Sequence, residues 1–371
     1  MNKGFDRKKT VMYPLSEREH KLNAKEIYLC PKSKTRNISD FSMEQIKECS
    51  KRIKNAKSLG KPVILTYGAH IIKNGGSPVI NALIKDGWIT HVAVNGAGSI
   101  HDWEFAFIGE STEDVRKNTA TGSFGTWDET GKHINLAVAI GGTLGLGYGS
   151  SVGKMIYENS LHIPSQDKLK EEIISDISSN SYSDITAAKI DLLNLITEFD
   201  IPAGNLEINH KMQDFSVQYT AFKKGINYTV HPGIGYDIIY THPYNNGGAI
   251  GRGAVNDFLC FAESVSNLTN GGVFVSVGSA IMSPMIFEKS MSMSNNFRLN
   301  NNLEKIKDYY LGVIDIQDDG NWDWSKGEPP MDNPAYYLRF CKTFHRMGGD
   351  LQYICLDNRD FILNLYQELE K

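Results

Sequence analysis

Residues 61–98 read KPVILTYGAHIIKNGGSPVINALIKDGWITHVAVNGAG, and the order of patterns inside them decides the fold class. The stretch begins with an apolar run, Val63 to Thr66, that breaks at Gly68. SPVINALIKDGW then has helical spacing with Pro78 in its first turn. ITHVAVNGAG is a second apolar run that ends on three very small residues. Strand, loop, helix and strand in so short a span make a βαβ unit. Strands that read as unbroken apolar runs are parallel strands buried on both faces.

Outward from this unit the alternation continues. DITAAKIDLLNLITEF (184–199) and FSVQYTAFKKG have helical spacing, INYTVHPG and YDIIYTHP read as strands, and VNDFLCFAESVSNLTNGG reads as a helix. VFVSVGSA, YYLGVIDIQ and LQYICL are further strands, separated by the helical NPAYYLRFCKTFHRMGG and followed by RDFILNLYQELEK. The sum is an α/β chain with a single doubly wound, mostly parallel, Rossmann-like sheet. Residues 1–41 are polar and read as an N-terminal arm, and 42–371 form the α/β domain. Ser42 and Gln45 are spaced as a capping box for the first helix, which Gly60 ends. The glycine-rich AIGGTLGLGYGSSVG (139–153) is too apolar for a linker and reads as a folded loop leading into a helix.

Composition narrows the function classes. The 371 residues carry a formal net charge of -4, which offers no general attraction to nucleic acid or anionic membrane. No apolar run is long enough to span a bilayer, and the charged N-terminus has no secretion-signal core. The five cysteines (Cys30, Cys49, Cys260, Cys341, Cys355) are scattered without a CxxC pair, the usage of a reducing cytoplasm with no zinc site. A P-loop and a GxSxG elbow are both absent.

In open parallel sheets ligands bind beyond the carboxyl ends of the strands. Three such ends here carry small residues before a helix start: TYGAHIIKNGGSP, NGAGSIHDWE and VGSAIMSP. Small residues admit a ligand to the backbone, and helix-start N–H groups favour phosphate. The cofactor-binding candidates are therefore Gly68, His70, Gly75, Asn95, Gly96, Ala97, Gly98, Gly278 and Ser279. VHPGIGYDIIYTHPYNNGGAIGRG (230–253) adds His231, Asp237, His242, Asn245 and Asn246. Histidine is neutral near pH 7 and suits general-base work. His101 and His231 are the expected catalytic bases, oriented by Asp102 or Asp237. His242, Asn245 and Asn246 are expected at the substrate. The His/Asp/His spacing matches no standard zinc pattern, so no metal is expected.

The ordered series of motifs resembles the deoxyhypusine synthases over residues 60–350. VILTYGAHIIKNGG and VAVNGAGSIHDWE stand where that family has TSNLISSG and TAGGVEED. VHPGIGYD stands at its strand-loop ending in GSLGD, and VFVSVGSAIMSP at its GGGVVKHH. The resemblance implies a Rossmann-like domain, NAD as cofactor and a homotetramer built from tight dimers. It also implies transfer of an aminobutyl group through a lysine imine. The departures fall on the chemistry. The family's loop Asn is His70 here, and the acid before Asp102 is His101. The acid that grips the polyamine falls in HPG, and the lysine and histidines of GGGVVKHH are gone. The catalytic-lysine helix reads NPAYYLRFCKTF, with Lys342 two places out of register. The expectation is an NAD-dependent oxidoreductase or transferase acting on a small hydroxyl- or amine-bearing substrate. The alternatives are genuine deoxyhypusine or homospermidine synthesis through Lys342, and a non-catalytic nucleotide-binding scaffold.

Overall fold

A computed structural model describes residues 4–371. Six parallel strands form the central sheet: β1 Val63–Tyr67, β2 His91–Asn95, β3 Asn227–His231, β4 Val273–Val277, β5 Tyr310–Asp315 and β6 Asp350–Cys355. They lie side by side in the order β3-β2-β1-β4-β5-β6. β1 therefore pairs with β2 on one side and with β4 on the other, so that Ile64 stands beside both His91 and Phe274. This is the strand order of doubly wound dinucleotide folds, and its switch point falls between β1 and β4.

The switch is visible in which face each connection covers. Alternate residues of a strand face opposite sides. Val63, Leu65 and Tyr67 join one core cluster, while Ile64 joins the other. The helices Asp40–Ser58, Ser77–Lys85, Gly96–Ile108, Val217–Lys224 and Asn358–Leu369 pack into the first cluster. The helices Gly247–Ser266, Met282–Asn300 and Arg339–Arg346 pack into the second. Chain beyond β3 thus crosses to the other face before it returns as β4. Between β2 and β3 a helical insertion (Asp128–Thr143, Tyr148–Glu158, Gln166–Ser178, Asp184–Glu198) carries a two-stranded antiparallel ribbon, Ser160–Ile163 with Gly204–Glu207.

Several local expectations are corrected. The first helix is capped by Ser39, whose hydroxyl accepts from the Ser42 amide, and Gln45 donates instead to the Tyr353 carbonyl. Residues 238–241 form a 3-10 turn, not a strand: the Thr241 hydroxyl donates back to the Ile238 carbonyl and Ile239 is buried in the first core cluster. The glycine-rich 139–153 is mostly helix, interrupted only by the turn at Leu144–Gly147. Its glycines permit tight packing: a Cβ on Gly141 would overlap Ser151, and one on Gly149 would overlap the Tyr228 carbonyl. Among the described residues no single helix is long and apolar enough to cross a membrane. The bent pair Asp128–Thr143 and Tyr148–Glu158 reaches that composition jointly, and most of its residues are buried in the fold.

The polar N-terminal segment lies against the domain. Leu22–Asn23 pairs antiparallel with Glu110–Ser111, Tyr13 bridges to Trp127, and Leu15 and Ala24 are buried. Gly75, at φ +77°, is where this segment crosses the loop after β1. A Cβ there would meet the Ile27 carbonyl oxygen at 1.8 Å.

The loops after β1 and β4 touch as closely. A Cβ on Gly68 would stand 2.4 Å from the Gly278 carbonyl oxygen. Gly68→Ala is therefore expected to destabilise the fold by about 1–3 kcal/mol through overpacking. The measurement is urea unfolding, where a lowered midpoint at constant m is expected. An unchanged midpoint would mean that the two loops part freely.

Candidate functional site

Helix Gly96–Ile108 starts directly at the end of β2, with the Asn95 side chain accepting from the Gly98 amide at 2.9 Å. Ala97, Ile100, His101 and Glu104 share one face of this helix, as their spacing requires, and that face lines a cavity of about 230 Å³. Lys73 from the loop after β1 lines it too, as do Tyr236, Asp237 and Ile238 from the loop after β3. Thr112, Glu113, Val115 and Phe124 close it from the segment that follows the helix, and Arg18 enters from the N-terminal segment. The cavity lies at the carboxyl ends of the strands, where an open α/β sheet holds its ligands.

His101 is held by a chain of polar groups. The Arg18 guanidinium donates to both oxygens of Glu104, at 2.7 and 2.8 Å, and both side chains are 1% exposed. Burial alone would raise the Glu104 carboxyl, but the Arg18 charge and hydrogen bonds outweigh it and hold the group below its ordinary value. Glu104 is therefore ionised and can only accept. Ser111 donates its single hydroxyl proton to Glu104 at 2.5 Å, and His101 Nδ1 lies 2.7 Å from the same hydroxyl oxygen. The contact can be a hydrogen bond only if Nδ1 carries the proton. Nε2 then holds the lone pair. Burial pushes the imidazole down to about 4, so the ring is neutral near pH 7.

Asp237 sits over the start of the same helix. A Cβ on Gly96 would stand 2.2 Å from its carboxylate, so Gly96 is open to this side chain and not to a ligand. One hydrogen bond, from the Gly233 amide at 2.8 Å, opposes the burial that raises Asp237 to about 6. Thr112 has φ +68°, which is strained for a β-branched residue, and its hydroxyl is buried without a partner. Backbone strain of this kind concentrates at functional sites. Glu113 accepts from Asn118 Nδ2 at 2.6 Å and from the Gly125 amide at 3.2 Å.

Of the expected catalytic residues, His101 and Asp237 meet in this cavity and two do not. Asp102 points to the opposite side of its helix and is fully buried. It accepts from Ser216 Oγ at 2.5 Å, the Val217 amide at 2.8 Å and Gln218 Nε2 at 3.0 Å, at the start of helix Val217–Lys224. Burial drives its carboxyl up against those bonds. His231 lies across the sheet from His101. Tyr228 and Val230 belong to the first core cluster, so His231 faces the second, edge-on to Phe261 with ring centres 5.4 Å apart. Its Nε2 shares the Thr229 hydroxyl with His91, and burial lowers it to about 3.

The expected substrate residues are likewise committed elsewhere. His242 pairs with Asp128 at 3.2 Å, Asn245 donates to Asn135 Oδ1 at 2.8 Å, and Asn246 caps helix Gly247–Ser266. Lys342 places its ammonium 3.8 Å from the Tyr336 ring centre, beside the second core cluster. Arg18, Lys73, Glu104, Thr112 and Glu113 were missed. Of these, Lys73 and Glu104 stood in motifs singled out in the sequence, TYGAHIIKNGGSP and NGAGSIHDWE.

The expected dinucleotide loops divide. After β1, Gly68 and Gly75 are filled by protein carbonyls and Gly76 by the Ile71 side chain; after β2, Gly98 packs on Asn95 and Val94. Asn95, where a dinucleotide fold places an acid for the ribose, is occupied as a helix cap. After β4 the site is open. Gly278 has φ +57°, and a Cβ there would meet only Asn358 Nδ2, at 3.8 Å. Ser279 follows, then the exposed Ala280 and Ile281, then a 19-residue helix with no acid in its first turn. His70 is exposed across the crevice. The turn Gly278–Met282 fits a dinucleotide phosphate, whereas the loop after β1 does not.

No family model and no curated protein matches the chain. Among solved structures it is similar to a conserved LOR/SDH protein from Methanococcus maripaludis S2, at 15% identity and a TM-score of 0.44. That match covers 92% of this chain and 73% of the other. It is also similar to AgrE in its ternary complex with ornithine and NAD+, at 14% identity and a TM-score of 0.42, covering 90% of this chain. A third is ArgZ, a cyanobacterial arginine dihydrolase, at 12% identity and a TM-score of 0.41, again covering 90% of this chain. The chain spans 34% of the AgrE length and 32% of the ArgZ length. None of these three is a deoxyhypusine synthase, and what the site can do rests on its own geometry.

Two outcomes follow from the charges. Arg18→Met leaves Glu104 buried without a counter-ion and is expected to cost about 3–5 kcal/mol in equilibrium unfolding. Replacing Glu104 by Met in the same chain is expected to restore most of that loss. Asp237 has the opposite signature, because its folded value of about 6 lies above the unfolded carboxyl at ~3.9. Between those values the folded chain holds the extra proton, so this contribution to stability declines as pH rises. The stability of Asp237→Asn relative to wild type should therefore increase from pH 4 to pH 7. A difference that stays flat across this window would show that Asp237 is not desolvated.

Proposed function

We propose that the chain is a nicotinamide-dinucleotide-dependent oxidoreductase acting on a small amine- or hydroxyl-bearing substrate, with the His101 cavity as its reaction site. The observation that carries this reading is one juxtaposition. The β3-β2-β1-β4-β5-β6 order sets a switch-point crevice between β1 and β4, and the loop leaving β1 runs from that crevice to Lys73 in the cavity wall. The residues that would hold the phosphates are Gly278, Ser279 and the start of helix Met282–Asn300. A bound nicotinamide ring would supply a hydride acceptor.

The chain's own residues do the rest. With Nδ1 hydrogen-bonded to Ser111, Nε2 is the nitrogen left to accept a proton from a substrate hydroxyl or ammonium. A neutral imidazole can do this near pH 7. Ser111, Glu104 and Arg18 fix its tautomer and orientation. Ile100 is buried beside the imidazole, and Val115 and Phe124 form the exposed apolar rim of the cavity. The alternative reading through a Lys342 imine has less support, because that lysine packs on Tyr336 beside the second core cluster while the cavity's own lysine is Lys73.

His101→Asn is expected to reduce turnover by about 10²–10⁴-fold, the usual worth of a placed base, while dinucleotide affinity stays within a factor of about two. His231→Asn should leave turnover intact and lower the melting temperature, since it strips the Thr229 and Phe261 contacts on the far face. Calorimetry with NAD+ and NADP+ tests the cofactor directly. Failure of both to bind at millimolar concentration would remove the oxidoreductase reading.

A further inference from the structure

The charges around the cavity do not cancel within the chain. Arg18 and Glu104 neutralise each other. Lys73, Asp237 and Glu113 remain, and among the described residues none of them has an oppositely charged partner within 4.0 Å. Asp237 and Glu113 are 6% and 8% exposed, and their hydrogen bonds come only from neutral amide groups. Unpaired charge in such surroundings is costly unless something neutralises it. One cation and two carboxylates therefore ask for a ligand that brings both signs.

We infer that the substrate is a small amino acid bound as its zwitterion, its carboxylate on the Lys73 ammonium and its ammonium against Asp237, with Glu113 adding negative potential. The inference rests on the reaction-site reading above and names its substrate class. The remainder of the cavity is apolar, with Ile100, Val115 and Phe124 available to an aliphatic side chain. Its volume of about 230 Å³ holds a molecule of amino-acid size and excludes a peptide. The His101 nitrogen left without a partner would lie beside the ammonium and could take one of its protons. A monocarboxylic acid would leave Asp237 unpaired, and a simple amine would leave Lys73 unpaired. A polyamine satisfies the two carboxylates but meets Lys73 with repulsion.

The test is calorimetry on the full chain with the twenty protein amino acids and ornithine, each at up to ~10 mM, a range that reads affinities as weak as millimolar. Every ligand found is compared with its analogue lacking the amine and its analogue lacking the carboxylate. Spermidine serves as the polyamine probe. At least one amino acid is expected to bind, with each single-charge analogue weaker by about tenfold or more. Lys73→Gln should weaken the amino acid and spare the amine analogue, and Asp237→Asn should weaken the amino acid and spare the analogue that lacks the amine. If a variant does not fold, the analogue comparison on wild type decides alone. Binding by no amino acid, equal binding by an analogue, or preference for spermidine overturns the inference. NADH fluorescence on the same sample separates the two readings. Cofactor binding without amino-acid binding fails only the substrate class, and amino-acid binding without cofactor fails only the oxidoreductase.

Discussion

The buried ion pair between Arg18 and Glu104 organises everything around the cavity. A carboxylate at 1% exposure cannot stand alone inside a protein, and the cation that neutralises it comes from 86 residues earlier in the chain. This draws the polar N-terminal segment down onto the domain, where Leu22–Asn23 pairs with Glu110–Ser111. That pairing in turn sets Ser111 between Glu104 and His101, and it places Thr112 in its strained conformation at the cavity wall. One charge on one helix thus couples the entry of the chain, the tautomer of a histidine and the shape of the site.

Much of the fold was legible in the sequence because its signals are local. The runs at 63–67, 91–95, 273–277 and 310–315 are mostly apolar and do not alternate with charge, and strands covered on both faces read that way. The site was legible only in part. His101 and Asp237 follow strand ends, the place where an open sheet puts its ligands, and the structure brings them into one cavity. His231 ends a strand as well, but a strand sends neighbouring side chains to opposite faces. Its position relative to Val230 decided the matter: Val230 belongs with helix Gly96–Ile108, so His231 cannot. Arg18 left no trace, since an arginine in a polar segment looks the same whether it is solvated or threaded into a core.

The glycines carry a second lesson. Gly68, Gly75 and Gly96 were read as places where a ligand approaches the backbone, and something does approach each of them closely. In every case it is the chain itself: the Gly278 carbonyl, the Ile27 carbonyl and the Asp237 carboxylate. A missing Cβ records that space was needed, not what fills it. Gly278 is the exception, with φ +57° and open space above it, and it stands at the switch point. Topology rather than glycine content therefore separates the position that can receive a ligand from those that serve packing.

The cavity also works against the stability of the fold. Asp237 is raised to about 6 by burial, and among the described residues the left-handed Thr112 has an unpartnered hydroxyl and Lys73 has no counter-ion within 4.0 Å. Each is a local departure from what the rest of the molecule satisfies, and all three border the same space. Elsewhere buried charge is answered within the chain. Asp102 takes hydrogen bonds from Ser216, Val217 and Gln218, Asp257 takes two from backbone amides, and Glu104 has its arginine. A chain that gives its core carboxylates two or more hydrogen bonds or an arginine, and leaves Asp237 with one beside an unpartnered lysine, concentrates its unmet interactions where a ligand can meet them.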